Sequence, residues 1–293
     1  FGCFIEDKFT ITEHSEIIVD YQVTDLSCYE SADGSISLTV SGGTSNYSFQ
    51  WDNTVALPTG ATTQDINNLI VGTYGVTVSD DANCFSAVDS IYVGQPDPLQ
   101  STVIDANDAL CHGSSDAGGS IAVIGGTSPY SYSWTDINNT VISSLDSVLS
   151  DVIAGVYLCV ITDNLGCEDT ISLTLQEPQE LVLEVVDITH NLCYGDTDGV
   201  IIVTVSGGTP PYSDYTIEGS NGPLPPQASN IFTNLPEAQP FYTIWAIDAH
   251  DCPSSVADSI KVGAPGLINL EDIITNLSCY ESDDGSIELI VSG

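Results

Sequence analysis

The residues of this 293-residue chain best placed for covalent chemistry are its nine cysteines, because six of them fall into two regularly spaced series. The first series is Cys28, Cys111 and Cys193, and the second follows it after 56, 56 and 59 residues as Cys84, Cys167 and Cys252. Unpaired thiols have no reason to keep such constant separations. The spacing therefore predicts the disulfides Cys28–Cys84, Cys111–Cys167 and Cys193–Cys252, each stabilising its segment by roughly 4 kcal/mol.

The other three cysteines fit the same scheme. Cys3 and Cys279 occupy the two kinds of position at the ends of the sequence, and we expect their partners to lie outside it. Cys159 has no counterpart and is expected to be a free, buried thiol that packs as a small apolar group. Metal ligation is the competing explanation, but there is no C-x-x-C pair and the four histidines do not recur at matching positions. Disulfides indicate an oxidising compartment.

Carboxylates lie near both cysteine series and could bind calcium if the two loops of a segment meet. The candidate calcium ligands are Glu30, Asp33, Asp80, Asp81, Asp116, Asp163, Asp196, Asp198, Asp248 and Asp251. The alternative, which we favour, is that Asp beside Gly simply forms turns. No segment matches the twelve-residue calcium-loop pattern. The sequence thus predicts no cofactor, with calcium as the open alternative.

The charge balance excludes several function classes. Forty-one acidic residues face only two basic ones, for a net charge of −39. Such a chain cannot offer the cationic surface that nucleic acids or anionic membranes require. No apolar run is long enough to span a bilayer, so we expect no membrane insertion.

The cysteines belong to a repeat of about 80 to 90 residues that recurs along the chain. After each first-series cysteine come an Asp, a Gly-containing turn, a strand with alternating apolar residues and a glycine pair, as in "SGGTSNY" (41–47). The predicted domains are 1–15 (end of a preceding repeat), 16–97 (repeat 1), 98–179 (repeat 2), 180–266 (repeat 3) and 267–293 (start of a following repeat). About seven short strands per repeat, without helices, predict immunoglobulin-like antiparallel β-sandwiches. Short proline-containing linkers predict a rod-like array.

Other motifs point away from catalysis. There is no G-x-S-x-G elbow, P-loop or H-E-x-x-H helix, and the acidic residues follow the repeat instead of occurring once. Trp51 and Trp134 recur at one position, where a core tryptophan is favoured over a platform for stacking sugars. We predict that the chain is not an enzyme.

The combined pattern, from "CYESADGSI" (28–36) through "SGGT" (41–44) to "GTYGVTVSD" (72–80), resembles the SprB-type repeat of Bacteroidetes gliding-motility and cell-surface adhesins. The resemblance implies an extracellular or cell-surface location and export by type IX secretion. It also implies a structural and adhesive role in a very large filament, in contact with neighbouring repeats and surface polysaccharide. The alternatives are a carbohydrate-binding array of a secreted enzyme, or a filament subunit that assembles with copies of itself.

Four Asp-Ser/Thr-apolar sequences are similar to O-glycosylation sites of exported Bacteroidetes proteins. The residues that would be modified are Ser90, Ser147, Thr170 and Ser259. The alternative, which we favour, is that they are ordinary strand and turn residues, since short motifs arise easily by chance.

Overall fold

A computed structural model describes residues 3–53, 61–142, 146–219, 222–237 and 241–293 of the chain. These residues form 22 β-strands and no helix. Accordingly, no described segment is a helix that could cross a membrane. The chain divides into two compact units. Unit 1 is Phe1–Ala106, Gly119–Ser150 and Gly155–Thr174; unit 2 is Asn107–Gly118, Asp151–Ala154 and Leu175–Gly293.

Repeat 1 lies wholly in unit 1, and its described residues form two three-stranded antiparallel sheets. Its strands are β1 (Ile18–Thr24), β2 (Gly34–Ser41), β3 (Ser48–Asn53), β4 (Ile66–Leu69), β5 (Gly72–Ser79) and β6 (Phe85–Val93). One sheet has the order β1-β2-β4 and the other has the order β3-β5-β6.

Repeat 2 has the same arrangement, with one short strand more than the described residues of repeat 1 form. Its strands are β7 (Gln100–Asn107), β8 (Ala117–Ile124), β9 (Ser131–Asp136), β10 (Val141–Ile142), β11 (Val148–Val152), β12 (Gly155–Thr162) and β13 (Glu168–Leu175). The sheets have the orders β11-β8-β7 and β10-β9-β12-β13. The division between the two compact units falls inside this repeat. The predicted repeat boundaries remain predictions drawn from the sequence.

Repeat 3 and the partial repeat after it lie in unit 2. The strands of repeat 3 are β14 (Val182–Thr189), β15 (Gly199–Ser206), β16 (Ser213–Gly219), β17 (Gly222–Pro223), β18 (Ile231–Leu235), β19 (Tyr242–Ile247) and β20 (Ala257–Ile260). They form sheets of order β14-β15-β18 and β17-β16-β19-β20. The hairpin of the partial repeat pairs β21 (Asn269–Thr275) with β22 (Ser286–Ser292).

Alternation of apolar and polar residues determines which face of each strand is buried. In β2, Ile36 and Leu38 are buried whereas Ser37 and Thr39 are exposed, as the period of two in a β-strand requires. In repeat 1 the inward residues of both sheets form one core, which includes Trp51 and Tyr74. Repeat 3 has its own equivalent core.

The strand order confirms the predicted immunoglobulin-like fold. Strands 1, 2 and 5 of repeats 2 and 3 form one sheet, and the remaining strands form the other, as in sandwiches with this topology. A further mark of this fold is a tyrosine near the start of the penultimate strand that bonds back to the chain before it. The hydroxyl of Tyr74 donates to the carbonyl of Ile70 (2.8 Å), and that of Tyr242 donates to Pro236 (3.0 Å).

Candidate functional site: the junctions between repeats

Two disulfides join consecutive repeats. Cys28 of repeat 1 is bonded to Cys167 of repeat 2, with their Cα atoms 5.6 Å apart. Cys111 of repeat 2 is bonded to Cys252 of repeat 3, again with a Cα separation of 5.6 Å. Each bond lies inside one compact unit, the first in unit 1 and the second in unit 2. We call these two bonds the staples.

The staples use two kinds of loop. The opening loop connects the first two strands of a repeat and carries the first-series cysteine; the opening loops are 25–33, 108–116 and 190–198. The closing loop connects the last two strands and carries the second-series cysteine; the closing loops are 80–84, 163–167 and 248–256. Each staple therefore links the opening loop of one repeat to the closing loop of the next.

The predicted pairing within repeats is wrong. In repeat 1, the closing loop lies at the end of β2, because Asp80 accepts a hydrogen bond from the Thr44 amide just after that strand. The opening loop lies at the start of β2. An eight-residue strand is about 26 Å long, whereas disulfide-bonded Cα atoms lie within about 7 Å. Cys84 is therefore free and exposed.

The predicted pair Cys193–Cys252 of repeat 3 is also wrong, because the second strand of that repeat separates the two cysteines. Asp248 accepts a hydrogen bond from the Thr209 amide, which places the closing loop at the end of β15. Cys193 lies in the opening loop before β15 and is free and exposed. The third predicted pair, Cys111–Cys167, is replaced by the two staples themselves.

One buried aspartate holds each closing loop, and its contacts are nearly identical in the three repeats. One carboxylate oxygen accepts from the threonine amide after the glycine pair, and the other accepts from the amide of the second-series cysteine. The first distance is 2.8 Å in all three repeats, and the second is 2.9, 2.9 and 3.0 Å. The aspartates are Asp80, Asp163 and Asp248.

These contacts favour the ionised carboxylates. The Thr44 amide is the main reason why the pKa of Asp80 lies below its ordinary value. For Asp163 and Asp248, burial disfavours the charge, but the backbone N–H donors outweigh it and the pKa is again lowered. A buried carboxylate that is fully engaged by backbone donors fixes the loop that carries the cysteine.

The opening loop is also fixed by an aspartate, five residues after the first-series cysteine. The Ser27 amide donates to Asp33 at 3.1 Å, and the equivalent bonds to Asp116, Asp198 and Asp284 measure 3.3, 3.2 and 3.0 Å. The Ser27 hydroxyl is the largest cause of the lowered pKa of Asp33. These aspartates thus form turns, as the favoured explanation of the acidic residues predicted.

The glycine pair of a repeat packs closely against the linker that precedes that repeat. A Cβ on Gly42 would lie 1.9 Å from the carbonyl oxygen of Glu16, and one on Gly125 would lie 2.0 Å from that of Pro98. Both glycines have positive φ, so any side chain would be strained there as well. The next amide donates to the linker: Gly43 to Ser15 and Gly126 to Asp97, both at 2.9 Å. The linker is therefore held by the repeat that follows it.

In repeats 1 and 2, a polar side chain at the end of the repeat bonds to the opening loop of the same repeat. Gln95 accepts from the Glu30 amide at 2.9 Å in repeat 1, and Glu177 accepts from the Gly113 amide at 2.6 Å in repeat 2. Glu177 also lies 3.2 Å from the imidazole of His112. One end of the linker between repeats 1 and 2 is thus bonded to the opening loop that carries Cys28, and the other end is bonded to the glycine pair of repeat 2.

The candidate calcium ligands do not gather within a repeat. Glu30 and Asp33 lie in the opening loop of repeat 1, and Asp80 and Asp81 lie in its closing loop, at the other end of β2. The expectation that the two acidic loops of one repeat meet is therefore wrong, for the same reason as the predicted disulfides. Among the described residues, no three His, Cys, Asp or Glu side chains are placed to hold a metal ion. Calcium binding remains an untested alternative.

The other predicted residues have the following positions. Trp51 and Trp134 are core residues whose indole N–H groups donate to the backbone carbonyls of Thr63 (2.9 Å) and Asp146 (3.0 Å), so neither forms a sugar-stacking surface. Cys159 is free and fully buried opposite Trp134.

The candidate glycosylation residues Ser90, Thr170 and Ser259 are exposed, and Ser147 is half-buried.

Three segments of the chain match the family model described as the SprB repeat: residues 21–56, 185–222 and 272–293. They lie in repeat 1, repeat 3 and the partial repeat, and they confirm the resemblance there. Each segment includes an opening loop. No curated protein matches the sequence.

The chain is also similar to solved structures of tandem domains. The three N-terminal domains of the bacteriophage RB49 highly immunogenic outer capsid protein share 14% identity over 84% of this chain and 97% of that one, with a TM-score of 0.41. Immunoglobulin domains 1–5 of Sidekick-1 share 13% over 85% and 58%, with a TM-score of 0.37. The FN1–FN3 domains of chicken CNTN1 share 14% over 85% and 98%, with a TM-score of 0.25. Likenesses this weak indicate nothing about function.

Proposed function

We propose that the chain is a structural and adhesive segment of a large cell-surface filament. In this filament, consecutive sandwiches are joined both by the main chain and by a disulfide. The observation that carries the proposal is the pair of staples, which use equivalent cysteines at two successive junctions. The SprB repeat matches support a surface adhesin. Disulfides suit an extracellular location.

We infer a mechanical role, not a catalytic one, from where the repeated polar residues act. The three buried aspartates and the opening-loop aspartates all bind backbone amides of loops that carry cysteines. Their carboxylates are engaged in fixing the chain. Gliding motility and type IX secretion remain parts of the proposal that the family resemblance suggests.

The free cysteines of the opening and closing loops extend the proposal to further repeats. Cys84 occupies the same closing-loop position as the stapled Cys167 and Cys252, and its amide is held by Asp80 in the same way. Cys193 occupies the same opening-loop position as Cys28. We propose that each pairs with a cysteine of an adjacent repeat, and that Cys3 and Cys279 do likewise. A filament assembled from separate copies remains the alternative.

Cell-surface labelling tests the proposal. Fab fragments raised against residues 1–293 should bind intact cells, and they should reduce the attachment of those cells to glass or a polysaccharide-coated surface. A Fab against a cytoplasmic protein serves as the control for cell integrity. Loss of surface signal when the type IX system is disabled would support that export route. Signal only after lysis, or binding without any effect on attachment, would contradict the location or the adhesive role, respectively.

A further inference from the structure

We propose that the staples redirect tension, so that a pulled chain loads the middle of repeat 2 and leaves most of repeats 1 and 3 unloaded. The inference rests on the connectivity of the two disulfides and not on the adhesive role. It therefore stands or falls separately from the proposed function.

The shortest covalent path through the stapled span differs from the order of the sequence. A force applied at the two ends reaches Cys28 and crosses the first staple to Cys167. It then runs backwards along the main chain to Cys111 and crosses the second staple to Cys252. The two staples overlap, because Cys111 and Cys167 lie on the same repeat. Every other route between Cys28 and Cys252 is longer.

The difference in length is large. The main chain between Cys28 and Cys252 comprises about 224 residues, whereas the segment between Cys111 and Cys167 comprises about 56. At about 3.6 Å per extended residue, the stapled span can reach about 20 nm, compared with about 80 nm without staples. The staples thus shorten its reach about fourfold.

The loaded and unloaded strands follow from this path. The segment between Cys111 and Cys167 contains β8 to β12 of repeat 2. Residues 29–110 and 168–251 lie off the path, and they include β2 to β6 of repeat 1 and β14 to β19 of repeat 3. Once the path is taut, these off-path strands carry no tension and can remain folded.

The load enters repeat 2 through strands that are bonded on both sides. Cys111 precedes β8, which lies between β11 and β7 in its sheet. Cys167 follows β12, which lies between β9 and β13. Pulling either strand out breaks two ladders of hydrogen bonds, whereas an edge strand would break only one. The stapled cysteines therefore direct the force to central strands.

Single-molecule force spectroscopy on residues 1–293, with handles at the two ends, tests the path. The fully extended length of the oxidised protein should be about 60 nm shorter than that of the same protein in reductant. Cys28→Ser/Cys111→Ser should show the longer extension even without reductant. Contour length does not depend on whether a variant folds, so the comparison holds even if the variant is unstable.

The matched control removes two cysteines that are not stapled. Cys84→Ser/Cys193→Ser should keep the short extension of the unmodified protein. If pairing occurred within repeats, this control would lengthen the stapled span about threefold, because only the middle bond would survive. That result, or equal extensions with and without reductant, would overturn the proposal.

Discussion

Cys28 is bonded to Cys167, which lies 139 residues further along the chain, and not to Cys84, which lies in the same repeat. The bond makes the junction between repeats 1 and 2 a doubly connected structure, with a linker and a staple side by side. In the chain-entropy model, closing a loop of this length lowers the entropy of the unfolded chain and so stabilises the folded state by about 5 kcal/mol. Folding of one repeat and docking of the next are therefore coupled.

The buried aspartate of the closing loop should be essential to stability. In Asp248→Asn, one oxygen that accepts from the Cys252 or Thr209 amide is replaced by an N–H₂ group, which leaves a buried donor facing another donor. We expect a loss of about 1–3 kcal/mol in the free energy of unfolding, measured by urea denaturation. The exposed Glu184→Gln, which removes the same charge, should change it by less than about 0.5 kcal/mol. Equal effects of the two substitutions would refute the role of Asp248.

Acid should weaken the same loops. The pKa values of Asp163 and Asp248 are lowered in the folded chain, so these groups contribute stability above the unfolded pKa of about 4. That contribution is lost as the pH falls through the lower, folded values. We expect the urea midpoint to fall between pH 5 and pH 2, with a shallower fall in Asp163→Asn/Asp248→Asn. Parallel pH profiles of the two proteins would contradict this assignment.

Thiol labelling should separate the cysteines into three classes. When residues 1–293 are expressed alone and no reductant is added, a maleimide should react readily with Cys3, Cys84, Cys193 and Cys279, which are all exposed. Cys159 should react only in denaturant, because burial raises its pKa to about 11 and excludes the reagent. The stapled four should react only after reduction. Rapid labelling of Cys28 in the native protein would be incompatible with the first staple.

Calcium should have no specific effect if the acidic loops are only turns. We expect the thermal midpoint to be the same in calcium chloride and in magnesium chloride at equal concentration, because both screen the net charge of −39 equally. A chelator should then change nothing beyond its own ionic strength. A rise in the midpoint with calcium alone would revive the metal site.

Much of the fold could be predicted from local patterns. The alternation in β2, the glycine pair at 42–43 and the recurring Trp51 and Trp134 were enough to predict sandwiches with core tryptophans. These features are visible because strand period, turn chemistry and core size act over a few residues. The turn role of Asp33 was likewise predicted from its position beside a glycine.

The pairing of the cysteines could not be read from spacing, since equal spacing fits bonds within repeats and bonds between neighbouring repeats alike. A signal was nonetheless present in the predicted topology. In this sandwich the closing loop lies at the end of the second strand, whereas the opening loop lies at its start. Placing Cys28 and Cys84 on that topology separates them by the length of β2.

Peptide mapping of the unreduced protein by mass spectrometry tests the central claim most directly. Digestion at low pH, with free thiols blocked beforehand, should release two cross-linked pairs that contain Cys28 with Cys167 and Cys111 with Cys252. Both pairs should disappear on reduction, while Cys84 and Cys193 of residues 1–293 expressed alone should carry the blocking group throughout. A cross-linked peptide that joins Cys28 to Cys84, or Cys193 to Cys252, would contradict the stapled array.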